Sequence, residues 1–302
     1  MTIEALRTPE ARFAALPDFA YAPHHVDDLP GYEGLRAAYV DEGPKDAKHT
    51  FLCLHGEPSW SFLYRKMIPP FLKSGGRVVA PDFFGFGRSD KPVDDAVYTF
   101  HFHRNYLLRL IERLDLKTVT LVVQDWGGLL GLTLPVAPSM HGRFARLIAM
   151  NTGIAVGESM GAGFDGWRSF MAGKPDLIVG QMMKRGAPFL SEAEAAAYDA
   201  PFPDQRYKAG VRRFPQLVMT DPQMEGVAES KAARDFWAKA WNGKSFMAYG
   251  AADPVFQPAA MEALRAGIKG CPAAMVIPDG GHFVQEWGGP IAVAALKAFG
   301  DV

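Results

Sequence analysis

Between residues 35 and 144, short apolar runs alternate with longer stretches of helical periodicity, a pattern satisfied by parallel strands laid side by side with helices packed over them. The strands it predicts are 35–40, 50–54, 77–80 and 118–124, and Leu107, Leu108, Leu110, Ile111 and Leu114 recur at the spacing of a helix over 104–116. Two further strands, 146–150 and 245–249, are separated by a stretch too long for a crossover, so the chain must carry an insertion there. That stretch opens with five glycines between Gly153 and Gly166 and holds a capping box from Ser191 to Glu194 ahead of an alanine-rich run to Tyr198. The expected division is a helical cap over 154–229 and a core formed by 1–153 and 230–302. A helix at 258–267, a strand at 273–277 and a helix at 290–299 complete that core.

A chain of 302 residues suits one such core with an insert, and 48% hydrophobic with 22% charged residues excludes disorder, collagen and coiled coil. Lysine and arginine number 32 against 33 acidic residues, a net charge of -1, so neither nucleic acid nor an anionic membrane is an expected partner. Cys53 and Cys271 stand far apart without metal-ligand spacing, so no metal is expected. The N-terminal stretch lacks a basic and then apolar leader, and no run reaches the ~18 apolar residues of a membrane span. A cytoplasmic monomer is the expectation.

The predicted strand 118–124 runs into Asp125-Trp126-Gly127-Gly128, and 129–134 then reads as helix. Strand, tight turn and helix match the nucleophile elbow of the α/β-hydrolase fold, with Asp125 where a serine usually stands and Val123 in place of the first glycine. Asp253 follows the strand 245–249, and His282 follows the strand 273–277 in a Gly-Gly-His turn. Alone, such an aspartate is most often a helix cap and such a histidine a structural turn residue. Three of them at the carboxyl ends of three predicted strands, in the order nucleophile, acid, histidine, point to catalysis. The loop from His55 to Trp60 follows another strand, and the backbone amides of Glu57 and Trp126 are the candidates for an oxyanion hole. Gly157-Glu158-Ser159-Met160-Gly161 also spells a serine elbow, but that motif needs a strand before it and a helix after it, and Gly161, Gly163 and Gly166 disfavour the helix.

These motifs resemble the haloalkane dehalogenases, in particular the branch similar to 1,2-dichloroethane dehalogenase. The stretches that carry the resemblance are HGEPSWSFLYRKMIP at 55–69, PDFFGFGRSDKP at 81–92, VQDWGG at 123–128, EAEAAAYDAPFP at 192–203 and GHFVQE at 281–286, within a match over residues 6 to 299. The resemblance implies an α/β-hydrolase fold with an inserted helical cap and a carbon-halogen hydrolase without cofactor. Its substrates would be a small haloalkane and water, and halide would be a product. Asp125 would be nucleophile, His282 base and Asp253 its partner. Related enzymes sometimes carry that acid after the preceding strand, where this chain reads Asn151-Thr152-Gly153. The halide would lie between the indole N–H groups of Trp126 and of Trp167, the latter in Phe164-Asp165-Gly166-Trp167 at the matching place in the cap.

The chemistry wants these residue types. A serine attacking a saturated carbon would leave an ether that water cannot cleave, whereas an aspartate is already ionised at neutral pH and leaves an ester that water can hydrolyse. Indole N–H groups donate to a departing anion without adding a competing cation. An epoxide hydrolase shares the nucleophile and the histidine-acid pair but needs acidic hydroxyls over the site, for which Tyr198 and Tyr207 are the cap candidates. Fluoroacetate-type chemistry needs an arginine for the substrate carboxylate, and none adjoins Asp125 in the sequence. A non-catalytic ligand-binding protein on the same fold is the reading from another class.

Overall fold

The apolar runs pair into one sheet, and the runs at its centre, 50–54, 77–81 and 119–124, bury every residue they have. This computed structural model describes residues 3–302. In chain order the strands are β1 (Ala5–Leu6), β2 (His24–Val26), β3 (Ala37–Glu42), β4 (Thr50–Leu54), β5 (Arg77–Pro81), β6 (Lys91–Pro92), β7 (Val119–Gln124), β8 (Phe144–Met150), β9 (Lys244–Gly250) and β10 (Met275–Ile277). Eight of them form a sheet in the order β10-β9-β8-β7-β4-β5-β3-β2, while β1 and β6 make a separate two-stranded pair. Pairing is parallel from β10 to β5 and antiparallel where β3 meets β5 and β2 meets β3. This is the α/β-hydrolase architecture. The central strands β4 and β7 are buried along their whole length, which is why they read as continuous rather than alternating apolar runs.

The helices are α1 (Ile68–Lys73), α2 (Phe100–Arg113), α3 (Trp126–Gly131), α4 (Ala162–Ala172), α5 (Val179–Gly186), α6 (Glu192–Asp199), α7 (Ala209–Leu217), α8 (Val227–Asp235), α9 (Pro258–Ala266) and α10 (Gly288–Phe299). Helix α2 begins four residues before the periodicity suggests, because the Thr99 hydroxyl accepts from the Phe102 amide and caps the helix there. Helix α3 begins at Trp126 rather than at Leu129, since the turn at Asp125 leads straight into it. In the insertion, α4 to α8 lie between β8 and β9, and the capping box read at Ser191 and Glu194 is present at the start of α6. Among the described residues no helix is long and apolar enough to cross a membrane.

Candidate active site

Four loops leave the carboxyl ends of β4, β7, β9 and β10, and they bring Glu57, Asp125, Asp253 and His282 to one floor. Asp125 carries the sharpest bend, with φ 49 and ψ -123, a conformation a side-chain-bearing residue adopts only where its surroundings enforce it. Its amide donates to the Asn151 carbonyl at 2.9 Å, and its own carbonyl accepts from the Thr152 hydroxyl at 2.8 Å. Close packing then demands glycine: a Cβ on Gly127 would stand 2.0 Å from the Leu54 carbonyl oxygen.

One carboxylate oxygen of Asp125, Oδ1, accepts from the Glu57 amide at 2.8 Å, while Oδ2 faces His282 Nε2 at 3.5 Å. On its other side the imidazole meets Asp253, with Nδ1 to Oδ2 at 2.9 Å. Asp253 is only 2% exposed, and as a carboxylate it only accepts, so Nδ1 carries the proton. Sequence reasoning missed the supports of this pair. Asn151 Nδ2 donates to Asp253 Oδ2 at 2.7 Å, the Val255 amide donates to Oδ1 at 2.7 Å, and Gln124 Nε2 donates to the His282 carbonyl at 3.1 Å. At the alternative acid position the chain thus uses an asparagine to hold the acid of the next loop. Its location directly after β8 was the available signal.

The electrostatics follow from this packing. Burial by itself would lower the His282 pKa, but Asp253 on one side and Asp125 on the other override it and raise the group to about 10. Burial pushes Asp253 upward, and the imidazole, the Val255 amide and Asn151 more than offset that, holding it below the ordinary carboxylate range. Glu57 is displaced well above its usual value, first by burial and then by the neighbouring charge of Asp125, with His282 opposing. Its backbone amide points at the Asp125 carboxylate.

Above this floor lies a cavity of about 490 Å³ walled mainly by apolar side chains, among them Leu129, Phe164, Phe170, Val218 and Phe256. Trp126 and Trp167 both line it. Trp60, Trp237 and Trp241 spend their indole N–H groups on the Ala197 carbonyl, the Leu132 carbonyl and the Ser245 hydroxyl. Among the described residues, neither Trp126 nor Trp167 donates its indole N–H to a protein acceptor. Arg185 also reaches the cavity wall, but from an exposed position on α5.

Two rival readings meet this geometry. Tyr198 is fully buried with its hydroxyl engaged by Glu286 and Arg65, and neither Tyr198 nor Tyr207 lines the cavity, so no tyrosine hydroxyl stands over Asp125. For Ser159 the reasoning requires correction, because α4 does follow it directly after Gly161 despite the glycines. Tertiary packing overrides their low helix propensity. What the serine motif lacks is the strand before it, and Ser159 is exposed and outside the cavity. Among the described residues no three His, Cys, Asp or Glu side chains cluster so as to hold a metal ion.

The family model for the α/β hydrolase fold matches residues 49–289. A haloalkane dehalogenase of Psychrobacter cryohalolentis is 44% identical over 303 residues, covering 98% of each chain. One from Mycobacterium marinum is 41% identical over 297 residues, covering 95% of this chain and 97% of its own. Among solved structures, the tetrameric haloalkane dehalogenase DpaA of Paraglaciecola agarilytica NO2 superposes with a TM-score of 0.95 at 54% identity, covering 98% of both chains. With an α/β-hydrolase sheet, an aspartate at the elbow and full-length haloalkane dehalogenases 41 to 54% identical to it, the chain belongs to the haloalkane dehalogenase family, hydrolases acting on carbon-halide bonds.

Proposed function

We propose that Asp125 attacks the halogen-bearing carbon of a short haloalkane from behind, so that a carbon-oxygen bond forms as the carbon-halogen bond breaks and halide leaves. Water then gives a proton to His282 and adds to the Asp125 carbonyl carbon, the Glu57 and Trp126 amides hold the oxyanion, and the ester collapses to alcohol and free carboxylate. The observation that supports this most is the split environment of the Asp125 carboxylate, with Oδ1 at 2.8 Å from the Glu57 amide and Oδ2 at 3.5 Å from His282 Nε2. Trp126 and Trp167, which line the cavity and donate their indole N–H groups to no protein acceptor among the described residues, receive the halide in this reading.

Charge on His282 follows the reaction. In the resting site two carboxylates keep the imidazole protonated. Esterification of Asp125 removes one of those charges, the imidazole pKa falls, and the base is liberated at the step that needs it. Activity is therefore lost at low pH through the titration of the alkyl-enzyme, which lies below that of the resting protein.

Residues 154–229 act in this reading as the cap that closes the cavity from above. Every residue this mechanism uses belongs to one chain, which a monomer satisfies, and the tetramer of the Paraglaciecola agarilytica relative is compatible with the same site. The unpaired thiols of Cys53 and Cys271 suit a cytoplasmic location. Titration of indole fluorescence with bromide tests the halide site. Trp167→Phe is expected to weaken bromide binding about tenfold, the worth of one hydrogen bond to a charged group. Unchanged affinity would reduce Trp167 to a wall residue.

A further inference from the structure

Three of the sequence stretches that carry the family resemblance have residues with no part in the chemistry above: Arg65 in the first, Glu194 and Tyr198 in the fourth and Glu286 in the last. They meet in one buried cluster. Arg65 Nη1 and Nη2 each donate to one oxygen of Glu286 at 2.7 Å, a bidentate pair in which both side chains are 0% exposed. Nη2 also donates to Glu194 Oε1 at 2.8 Å and Nη1 to the Tyr198 hydroxyl at 3.2 Å, and that hydroxyl donates in turn to Glu286. Lys66 Nζ adds a contact to Glu286 Oε2 at 2.9 Å and a hydrogen bond to its carbonyl at 3.1 Å. Two cations therefore face two carboxylates. Burial would raise Glu194, but Arg65 and the Ser191 donors bring it to about 2, so Glu194 stays ionised across the neutral range.

The cluster joins three segments around the site. Arg65 ends the short helical turn Ser61–Tyr64 that follows the Glu57 loop. Glu286 lies in the turn Val284–Trp287, directly after His282, and the Phe283 ring packs edge-on against the imidazole at 4.8 Å. Glu194 and Tyr198 belong to α6, whose Ala197 carbonyl also accepts from Trp60 Nε1 at 3.1 Å. The backbone of Asp125 is anchored separately, by the elbow and by Asn151 and Thr152, and its carboxylate meets this assembly at the Glu57 amide and at His282.

We infer that the Arg65–Glu286 pair, with Glu194 and Tyr198, is a positioning device that fixes the His282 loop against α6, and so serves the hydrolytic half-reaction more than the alkylation. Alkylation uses Asp125, whose backbone is anchored by Asn151 and Thr152, and does not require the imidazole. Hydrolysis needs a water aligned between His282 and the Asp125 carbonyl carbon, and a displacement of about 1 Å at such a step costs on the order of a hundredfold. A cluster that only stabilised the fold would slow both steps alike.

This inference rests on the ester mechanism proposed above, and rapid quench with intact-mass detection separates the two. The full-length protein is mixed with a short bromoalkane, and formation and decay of the alkyl-enzyme are followed in the parent and in Glu286→Gln and Tyr198→Phe. In Glu286→Gln, decay is expected to slow at least about tenfold while formation changes less than about twofold, so the alkyl-enzyme accumulates. Tyr198→Phe removes a single hydroxyl, keeps the ring and is expected to shift the partition the same way by a smaller factor, so it decides the matter where the glutamine variant does not fold. Equal slowing of both steps, or no change in either, in the folded variants overturns the positioning role. Absence of any alkyl-enzyme in the parent and both variants would instead defeat the ester mechanism.

Discussion

Asp125→Asn is expected to abolish halide release from a short bromoalkane, on the order of 10⁵-fold, and in the same protein to lower the pKa of His282. The first effect follows from the nucleophile. A carboxamide of the same shape can keep the elbow and the bond from the Glu57 amide, but it cannot displace halide. The second follows from charge. The resting imidazole is raised to about 10 against the pull of burial by Asp253 and Asp125 together. Removing the Asp125 charge leaves only Asp253 to oppose burial, so the group titrates at lower pH, as it would in the ester. Halide electrodes read the first effect and NMR titration of the imidazole the second. Retained release would remove Asp125 as nucleophile, and an unmoved titration would remove the coupling between esterification and the base.

His282→Ala is expected to split the reaction in two. Alkylation does not require the imidazole, so one equivalent of halide appears in a burst. Turnover then falls by about 10³-fold or more, the loss expected for a general base. Intact mass should show one alkyl group per chain, and peptide mapping should put it on Asp125. The asymmetry arises because Asp253, Asn151 and Val255 orient a base that acts only on the second step. A variant that binds substrate yet stays unmodified would mean that the imidazole serves the first step as well.

The parts of this fold most legible in the sequence are those where burial is complete. Strand β4 lies at the residues read as 50–54, because every position in it is apolar or small and covered on both faces. The edge strand β2, His24–Val26, escaped notice because two of its three residues are exposed and polar. Helix boundaries shifted where a single side chain decides them, as Thr99 does for α2, and where backbone strain does, as at Asp125.

The candidate site was legible through order along the chain, since strand ends in a parallel sheet converge on one edge. Asp125, Asp253 and His282 meet there as that order requires. Contacts without a local pattern were not legible. Asn151 holding Asp253, and Arg65 reaching Glu286 across 221 positions, depend on the closed fold rather than on spacing.

The alkyl ester itself can be examined with oxygen isotopes. In a single turnover of excess protein over bromoalkane in heavy-oxygen water, the alcohol must take its oxygen from the Asp125 carboxylate. The first alcohol released should therefore be unlabelled, and one heavy oxygen should remain in the peptide that contains Asp125. Label in that first alcohol, with none in the peptide, would mean that water attacks the halogen-bearing carbon directly and that no ester forms.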